Sequence, residues 1–229
     1  MVLANRKNYG ESRKAEDIKY LVFHYTANDG DHDTANANYF KNNVVYASAH
    51  YFVDDDSITQ SVPDLYSAYA VGGNKWSDCG KTGGGTMYGV IKNFNSISIE
   101  MCDTRRDGTL QATEDTMERA AALGRALMKK YNVPLSRVYR HFDVTGKHCP
   151  AYLMEEDKWK EFKKRLEAEE EMTYYKTIGD VPADYRPAVQ KLLDAGALKG
   201  YGDGTIQVSE DLCRTAVILD RLGLVKGGV

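Results

Sequence analysis

Two histidines and one cysteine, His24, His141 and Cys149, are of the residue types that bind catalytic zinc. His24 ends an apolar run, and His141 follows a short run much later in the chain, so both are expected at strand ends. Cys149 comes eight residues after His141, and the intervening loop can return its thiol to that histidine. A catalytic zinc takes three protein ligands and leaves one position for water. Spacing alone leaves an alternative without metal. In that case His24 is a core histidine, His141 is a hydrogen-bonded loop residue and Cys149 is a small buried thiol.

The elements that would position these residues alternate between strands and helices. Residues 20–25, 96–101 and 137–140 are apolar or β-branched runs typical of strands. Residues 47–53 and 57–62 are predicted to form a hairpin around three aspartates. Helices are predicted over 34–43, from Thr113 to Val133-Pro134, and around Trp159, Phe162 and Leu166. The segment 71–89, rich in glycine and polar residues, is a long loop of the kind that is functional or mobile.

An acidic stretch at 167–171 indicates a domain boundary, which divides the chain into residues 1–168 and 169–229. Beyond it, apolar stripes predict one helix ending near Gly196 and a second capped by Ser209. The C-terminal domain is thus predicted to be small and helical. A unit of about fifty residues is marginal alone, so it would need the main domain or a second copy, as in a homodimer.

Composition excludes some partners. The chain has 30 basic and 33 acidic residues, a net charge of -3, and lacks the basic excess of a nucleic-acid-binding protein. It has no apolar run near the roughly 20 residues of a membrane span. Residues 1–17 are polar, so we expect synthesis in the cytoplasm without a signal peptide. The four cysteines are scattered, and a cytoplasmic protein of this size does not need them as disulfides.

Four motifs follow one another along the chain: YLVFHYTA at 20–27, SAHYFVDD at 48–55, SISIEMC at 96–102 and RHFDVTGKHCP at 140–150. Over residues 18–167 the chain resembles the type 2 N-acetylmuramoyl-L-alanine amidase family, which includes phage lysozyme-like amidases and peptidoglycan recognition proteins. The resemblance implies an α/β fold with a central mixed sheet flanked by helices. It also implies hydrolysis of the amide between N-acetylmuramic acid and L-alanine in peptidoglycan, the expected substrate.

The resemblance assigns Zn²⁺ to His24, His141 and Cys149. Family members that lack the cysteine tend to bind peptidoglycan without cutting it, so Cys149 favours catalysis. Lys147 matches the family's catalytic lysine, which would stabilise the oxyanion of the tetrahedral intermediate; the alternative is a solvated lysine. Glu100 matches the catalytic glutamate of bacterial and phage relatives, which would transfer protons.

The alternative for Glu100 is a solvent-facing side chain that shares its strand face with Ser96 and Ser98. One departure from the family makes Glu100 more necessary. Some relatives place a tyrosine where this chain has Ala49, and here the nearest tyrosine, Tyr51, is displaced by two residues.

Other candidates rest on residue type alone. His50 is expected either to contact substrate or to form structural hydrogen bonds. Asn74 and Trp76 are predicted to line a sugar or peptide groove. His148 adjoins Cys149 but should point elsewhere, and His32 lies in a polar loop and is expected to be solvated.

The C-terminal segment resembles a single S-layer-homology unit, which implies binding of a secondary cell-wall polymer. The alternative is a stabilising or oligomerising appendage. Together the two parts suggest a phage or prophage endolysin that acts on the wall after release during lysis. A non-catalytic peptidoglycan-binding protein and a host autolysin are the rival functions.

Overall fold

The computed structural model describes residues 1–167 and 173–225, which fall in two units, Met1–Ala168 and Glu169–Val229. The predicted acidic boundary lies outside the described residues beyond Glu167. The strands of the first unit are β1 Tyr9–Ser12, β2 Tyr20–Tyr25, β3 Tyr51–Val53, β4 Ile58–Gln60, β5 Tyr66–Ala68, β6 Ser96–Met101 and β7 Val138–Arg140. Its α-helices are α1 Asp33–Asn42, α2 Cys79–Thr82, α3 Glu114–Tyr131, α4 His141–Thr145 and α5 Glu156–Glu167.

A five-stranded sheet in the order β4-β3-β6-β2-β7 forms the centre of the first unit. Strands β3, β6, β2 and β7 are parallel, and β4 pairs antiparallel with β3. The central mixed sheet flanked by helices is therefore confirmed. The β3–β4 pair is the predicted hairpin, closed by the backbone N–H of Asp54 donating to the Ser57 carbonyl. Strands β1 and β5 form a separate antiparallel pair.

One face of the sheet is apolar and covered by α3 and α5. Alternate residues of the central strands, among them Phe23 and Ile99, bury their side chains there with Phe162. The rings of Phe23 and Phe162 meet edge to face with centroids 5.0 Å apart. Burial of each such side chain contributes roughly 1.5–3 kcal/mol. Gly124 permits the close approach of the helices, because a Cβ there would lie 2.6 Å from Leu166 Cδ2.

The other face carries Val22, His24, Ser98 and Glu100, because side chains alternate along a strand. Val22 packs in a cluster with Val71, Ile91 and Val144, so residues around the glycine-rich segment and α4 cover this face. Ser96 and Ser98 are each only 1% exposed. The alternative that this face points to solvent is therefore wrong.

Helix α3 begins and ends where its sequence predicts. The Thr113 hydroxyl accepts the backbone N–H of Thr116 at 3.1 Å and caps the first turn. Asn132 takes a left-handed conformation after the last turn, and Val133-Pro134 follows. Helix α1 lies within one residue of the predicted 34–43, and α5 contains the predicted Trp159, Phe162 and Leu166.

The second unit contains β8 Tyr174–Tyr175, α6 Arg186–Asp194, β9 Val208–Ser209 and α7 Glu210–Arg221. The Ser209 hydroxyl accepts the backbone N–H of Leu212 at 3.2 Å, as the predicted cap requires. The two-residue strands pair antiparallel and are an addition to the predicted helices, because so short a strand has no hydrophobic period. Within residues 1–167 and 173–225, no helix combines the length and apolar character that crossing a bilayer requires.

A buried carboxylate ties α3 to the sheet. Asp64 accepts hydrogen bonds from Tyr131 (2.6 Å), Tyr51 (2.5 Å), Lys130 (2.9 Å) and Gln60 (3.0 Å). Burial alone would raise the pKa of Asp64, but the bonds from Tyr131, Tyr51 and Lys130 outweigh it and hold the pKa below its ordinary value. The Tyr51 hydroxyl is thus committed to Asp64.

We predict that Asp64→Asn lowers the free energy of unfolding of the first unit by roughly 1–3 kcal/mol, because donors lose a buried acceptor. Since the folded pKa is depressed, the wild-type contribution is complete above the unfolded pKa of about 3.9 and is lost as pH falls through the folded pKa. Urea unfolding followed by tryptophan fluorescence measures this unit alone, because Trp76 and Trp159 both belong to it.

The matched control is Asp157→Asn, whose carboxylate is 99% exposed and lies 3.7 Å from Lys160. It should change stability by less than about 1 kcal/mol. Equal stability of the Asp64 variant and wild type at pH 7 would contradict the structural role of this carboxylate.

Candidate metal centre

The pairing of parallel strands places three functional side chains at one level. His24 of β2 lies opposite Glu100 of β6. On the other side of β2, Phe23 lies opposite Arg140, the last residue of β7. His141 follows directly as the first residue of α4. All three side chains therefore lie at the carboxyl edge of the parallel strands, where open α/β sheets commonly bind ligands.

His24, His141 and Cys149 form one compact group. Each offers a ligand atom, and these atoms all lie within 4.8 Å of one another. The two imidazole rings have centroids 4.6 Å apart and are inclined by 61°. All three side chains are buried. The structure thus brings together the three residues that the sequence predicts as ligands.

Several polar atoms in this group lack a hydrogen-bond partner within the described residues. They are His24 Nε2, His141 Nδ1 and Glu100 Oε2. An unsatisfied buried polar atom costs roughly 1–3 kcal/mol, so three at one place indicate a missing partner. A cation bound by the two histidines would satisfy both imidazole nitrogens, whereas Glu100 lies beside the ligand group and is not one of its members.

The protonation states also suit a cation. Burial lowers the pKa of His24 well below its ordinary value, and the charges of His141 and Lys147 lower it further. Burial and the Lys147 charge lower the pKa of His141 to about 3. Both imidazoles are therefore neutral at pH 7 and keep a nitrogen lone pair for a metal.

The Cys149 thiol needs a cation to ionise. Burial raises its pKa well above the ordinary value and the Glu100 charge adds to this, while the backbone N–H of Tyr25 and the Lys147 charge act in the opposite direction. A divalent metal deprotonates a coordinating thiol outright. Two imidazole nitrogens and one thiolate are a donor set that fits zinc.

A buried ion pair holds the start of α4. The Arg140 guanidinium contacts the Asp143 carboxylate at 2.7 Å, and the Arg140 backbone N–H donates to the same carboxylate at 2.7 Å. Arg140 Nη1 also donates to the Leu153 carbonyl at 2.9 Å. Because His141 lies between Arg140 and Asp143, this pair fixes the backbone from which the imidazole projects.

Glu100 lies beside the ligand group. Its Oε1 is 3.9 Å from His24 Nδ1, and its side chain is 21% exposed. Burial raises the pKa of Glu100 to about 8; the Lys147 charge opposes this and the Asp31 charge adds to it. A carboxyl with such a pKa can both accept and release a proton near neutral pH.

Lys147 is exposed, and its positive charge reaches the whole group. It lowers the pKa of His24, His141, Glu100 and Cys149. An ammonium so placed is able to stabilise negative charge that develops beside the ligand group.

His50 does not reach the centre, and the expected substrate contact is corrected. It is 1% exposed. The backbone N–H of Ser98 donates to its Nδ1 at 3.0 Å, so Nε2 carries the proton and donates to the Tyr66 carbonyl at 3.0 Å. Arg13 lies 2.9 Å from Nε2, and burial together with this charge lowers the pKa of His50 to about 3. The role of His50 is structural support beneath the centre.

The remaining candidates lie at the surface. His148 lies 3.1 Å from Asp78 and outside the ligand group, and His32 lies 3.3 Å from Asp54. Asn74 and Trp76 are exposed, and the Trp76 ring lies 5.5 Å from that of His148. The structure thus places Trp76 beside the chain segment that carries Lys147 and Cys149.

Sequence reasoning missed some groups that act on the centre. The backbone N–H of Tyr25 stabilises the Cys149 thiolate, and the charge of Asp31 raises the pKa of Glu100. A backbone N–H donor cannot be predicted from residue types, because every residue except proline carries one. Asp31 lies in the sequence DGDHD, where neighbouring acids hide its contribution.

Residues 14–152 match the family described as N-acetylmuramoyl-L-alanine amidase, and residues 174–212 match the S-layer homology domain. The amidase BlyA of Bacillus subtilis strain 168 is 35% identical over 162 residues, which are 68% of this chain and 42% of BlyA. A probable N-acetylmuramoyl-L-alanine amidase of Bacillus licheniformis is 32% identical over 68% of this chain and 43% of its own length. The chain thus spans less than half the length of these relatives.

Solved structures show the same fold. The catalytic domain of XlyA superposes with a TM-score of 0.55 and 28% identity, covering 72% of this chain and 96% of that one. PlyL gives a TM-score of 0.57 and 26% identity, over 72% of this chain and 94% of its own. A mutant endolysin from Bacillus subtilis gives 0.56 and 29%, with 72% and 96% covered.

We predict that zinc stabilises the first unit. Because only the folded chain gathers His24, His141 and Cys149, free zinc at a hundred times its Kd should raise the free energy of unfolding by about 2.7 kcal/mol. Urea unfolding of chelator-treated protein, with and without added zinc, measures this by tryptophan fluorescence.

Cys149→Ser and His24→Ala should lose most of the zinc response. Cys213→Ser is the control, because it removes a buried thiol from the other unit and should leave the response intact. An unfolding curve of the wild type that zinc does not move would contradict a metal centre here.

Proposed function

This chain belongs to the N-acetylmuramoyl-L-alanine amidase family, and from this we propose that it hydrolyses the amide between N-acetylmuramic acid and L-alanine in bacterial peptidoglycan, with Zn²⁺ as its cofactor. The observation that carries the proposal is the buried group of His24, His141 and Cys149, two of whose nitrogens lack partners within the described residues. The family match covers all three residues. Cys149 favours catalysis over binding alone, because it completes the donor set.

His24, His141 and Cys149 would hold the metal. When bound there, Zn²⁺ supplies polarisation of the amide carbonyl and a water of lowered pKa. Glu100 takes the proton of the attacking water through its carboxylate, and the same carboxyl then gives that proton to the departing L-alanine amine. Its raised pKa near 8 suits both transfers.

Lys147 would act on the carbonyl oxygen. As the water attacks, negative charge grows on that oxygen, and the ammonium offers both charge and a hydrogen bond. The lysine is exposed while its field reaches the buried ligands, so it is able to meet a substrate that enters from solvent.

Asn74 and Trp76 remain proposed substrate contacts. Both are exposed, and Trp76 is 44% exposed although it is a large aromatic residue. Its backbone N–H donates to the Thr145 carbonyl at 2.8 Å, close to the segment that carries Lys147. An aromatic ring and an amide there suit the sugar and peptide parts of peptidoglycan.

The C-terminal unit is proposed to hold the enzyme on the wall. It matches the S-layer homology domain, and we propose a secondary cell-wall polymer as its ligand. The site of action that we propose is the wall, after release as in an endolysin of phage or prophage origin. The similarity to a solved endolysin from Bacillus subtilis supports the proposal that this chain is an endolysin.

We predict that Glu100→Gln keeps zinc but lowers kcat by about 10²- to 10⁴-fold, because only the proton carrier is removed. The measurement uses purified peptidoglycan and mass spectrometry, which detects a free lactyl carboxylate and a new L-alanine amine. Zinc content is measured on the same samples. Chelation should abolish the wild-type reaction, and added zinc should restore it.

Glu161→Gln is the control, because it neutralises an exposed glutamate on α5. It should keep full activity. If Glu100→Gln were as active as wild type, the proton would travel through another group. Absence of product from the zinc-loaded wild type would instead favour a protein that only binds peptidoglycan.

We predict that the C-terminal unit strengthens wall binding. In the Glu100→Gln background the wall stays intact, so the full chain and residues 1–168 can be compared by co-sedimentation with purified walls. The full chain should sediment at several-fold lower wall concentration. Tryptophan fluorescence checks that the first unit is folded in both proteins. If both are folded and sediment equally, the C-terminal unit has no role in targeting.

A further inference from the structure

The glycine-rich segment 71–89 contacts residues 142–149, which we call the ligand loop because they include Lys147 and Cys149. Backbone N–H groups of Trp76, Gly85 and Met87 donate to carbonyls of the ligand loop at 2.8, 2.9 and 2.8 Å. The two segments are far apart in sequence, so these bonds hold one against the other.

The two backbones touch at glycines. Gly146 has φ +85°, and a Cβ there would overlap the sulfur of Cys79. A Cβ at Gly84 would lie 2.9 Å from Gly146 Cα. The Cys79 thiol also donates to the Thr145 carbonyl at 3.7 Å. Neither Gly84 nor Gly146 has room for a side chain, so the glycine-rich segment packs directly against one side of the ligand loop.

Three side chains beyond Gly146 extend the contact between the two segments: Trp76, Asp78 and His148. His148 Nε2 lies 3.1 Å from Asp78 Oδ2, and the His148 and Trp76 rings lie 5.5 Å apart at 32°. His148 is the residue between Lys147 and Cys149. We propose that Trp76, Asp78 and His148 form a latch that positions the Lys147 ammonium and the Cys149 sulfur. This inference rests on the proposed function, which gives Lys147 and Cys149 their roles.

The energies favour positioning over stability. The His148 and Asp78 side chains are 45% and 36% exposed, and an exposed ion pair contributes about 0–1 kcal/mol. The fold does not depend on so small an energy. The exact position of a metal ligand is sensitive to an energy of this size, because catalytic and metal-binding groups need placement within roughly 0.5 Å.

Apart from the Tyr25 backbone N–H that stabilises the Cys149 thiolate, the bonds near the end of the ligand loop are its own. The backbone N–H of Cys149 donates to the Lys147 carbonyl at 2.7 Å, and the N–H of Phe142 donates to the Cys149 carbonyl at 2.9 Å. Both bonds stay inside the loop. The contacts with Asp78 and Trp76 tie the His148 side chain to another part of the chain, and Asp78 directly precedes helix α2.

The test uses His148→Ala and Asp78→Ala in the full chain. Zinc affinity, measured by competition with a chromophoric chelator, should fall by about two- to fivefold in each, the factor that an exposed pair of this kind can supply. In metal-free protein, alkylation of Cys149 by iodoacetamide, followed by mass spectrometry, should become several-fold faster. Cys102, which is 0% exposed, is the internal reference and should stay unreactive.

Three further variants separate positioning from general damage. Asp78→Asn should restore wild-type values, because its carbonyl still accepts from His148 Nε2. The double Ala variant should resemble either single one, since both remove the same contact. His32→Ala removes a similar histidine–aspartate pair on another loop and should change nothing at Cys149.

Wild-type zinc affinity and Cys149 reactivity in the two Ala variants would overturn the latch. Additive effects in the double variant, or failure of Asp78→Asn to restore them, would do so as well. The thiol measurement needs neither zinc nor peptidoglycan. A chain that proved not to be an amidase would therefore still show whether the latch positions Cys149.

Discussion

The register of three parallel strands is the constraint on which the centre depends. Pairing of β2 with β6 sets His24 beside Glu100, and pairing of β2 with β7 brings His141 to the same edge. Because side chains alternate along a strand, a slip of one residue would turn His24 into the apolar core and Phe23 into the centre. The core under α3 and α5 thereby fixes the chemistry on the opposite face, since neither Phe23 nor Ile99 can leave it.

The same burial that stabilises the sheet makes the centre costly without a cation. Desolvation keeps His24 and His141 neutral, raises the pKa of Glu100 to about 8 and protonates Cys149. The neutral imidazoles retain a lone pair for a metal, and the Glu100 carboxyl can exchange a proton near neutral pH. The raised pKa of Cys149 acts in the opposite direction, so its thiol would ionise only when a cation binds. One physical cause, removal from water, thus produces three different functional states.

The sequence is sufficient to predict the strands of the central sheet, the long helix and the candidate ligands that the fold brings together, but not strands β1 and β5 or the segments that cover the ligands. Alternating apolar residues predict β2 and β6, and Thr113 predicts the start of α3. The sequence alone leaves open the alternative of a solvent-facing strand side, because the residues that bury Ser98 belong to segments without a hydrophobic period. His50 stayed ambiguous for a similar reason: its partners Arg13 and Tyr66 lie 37 and 16 residues away.

The ligand loop is supported from two sides by different physics, which explains the length of the glycine-rich segment. On one side the buried pair of Arg140 and Asp143 fixes the start of α4, where loss of Arg140 would leave a largely buried carboxylate without its ion-pair partner. On the other side, backbone bonds and glycine contacts require a chain that approaches without side chains, and such a chain cannot be a regular amphipathic helix. The glycine-rich segment therefore packs closely against the ligand loop although it has little regular structure, and its Trp76 ring lies beside that of His148.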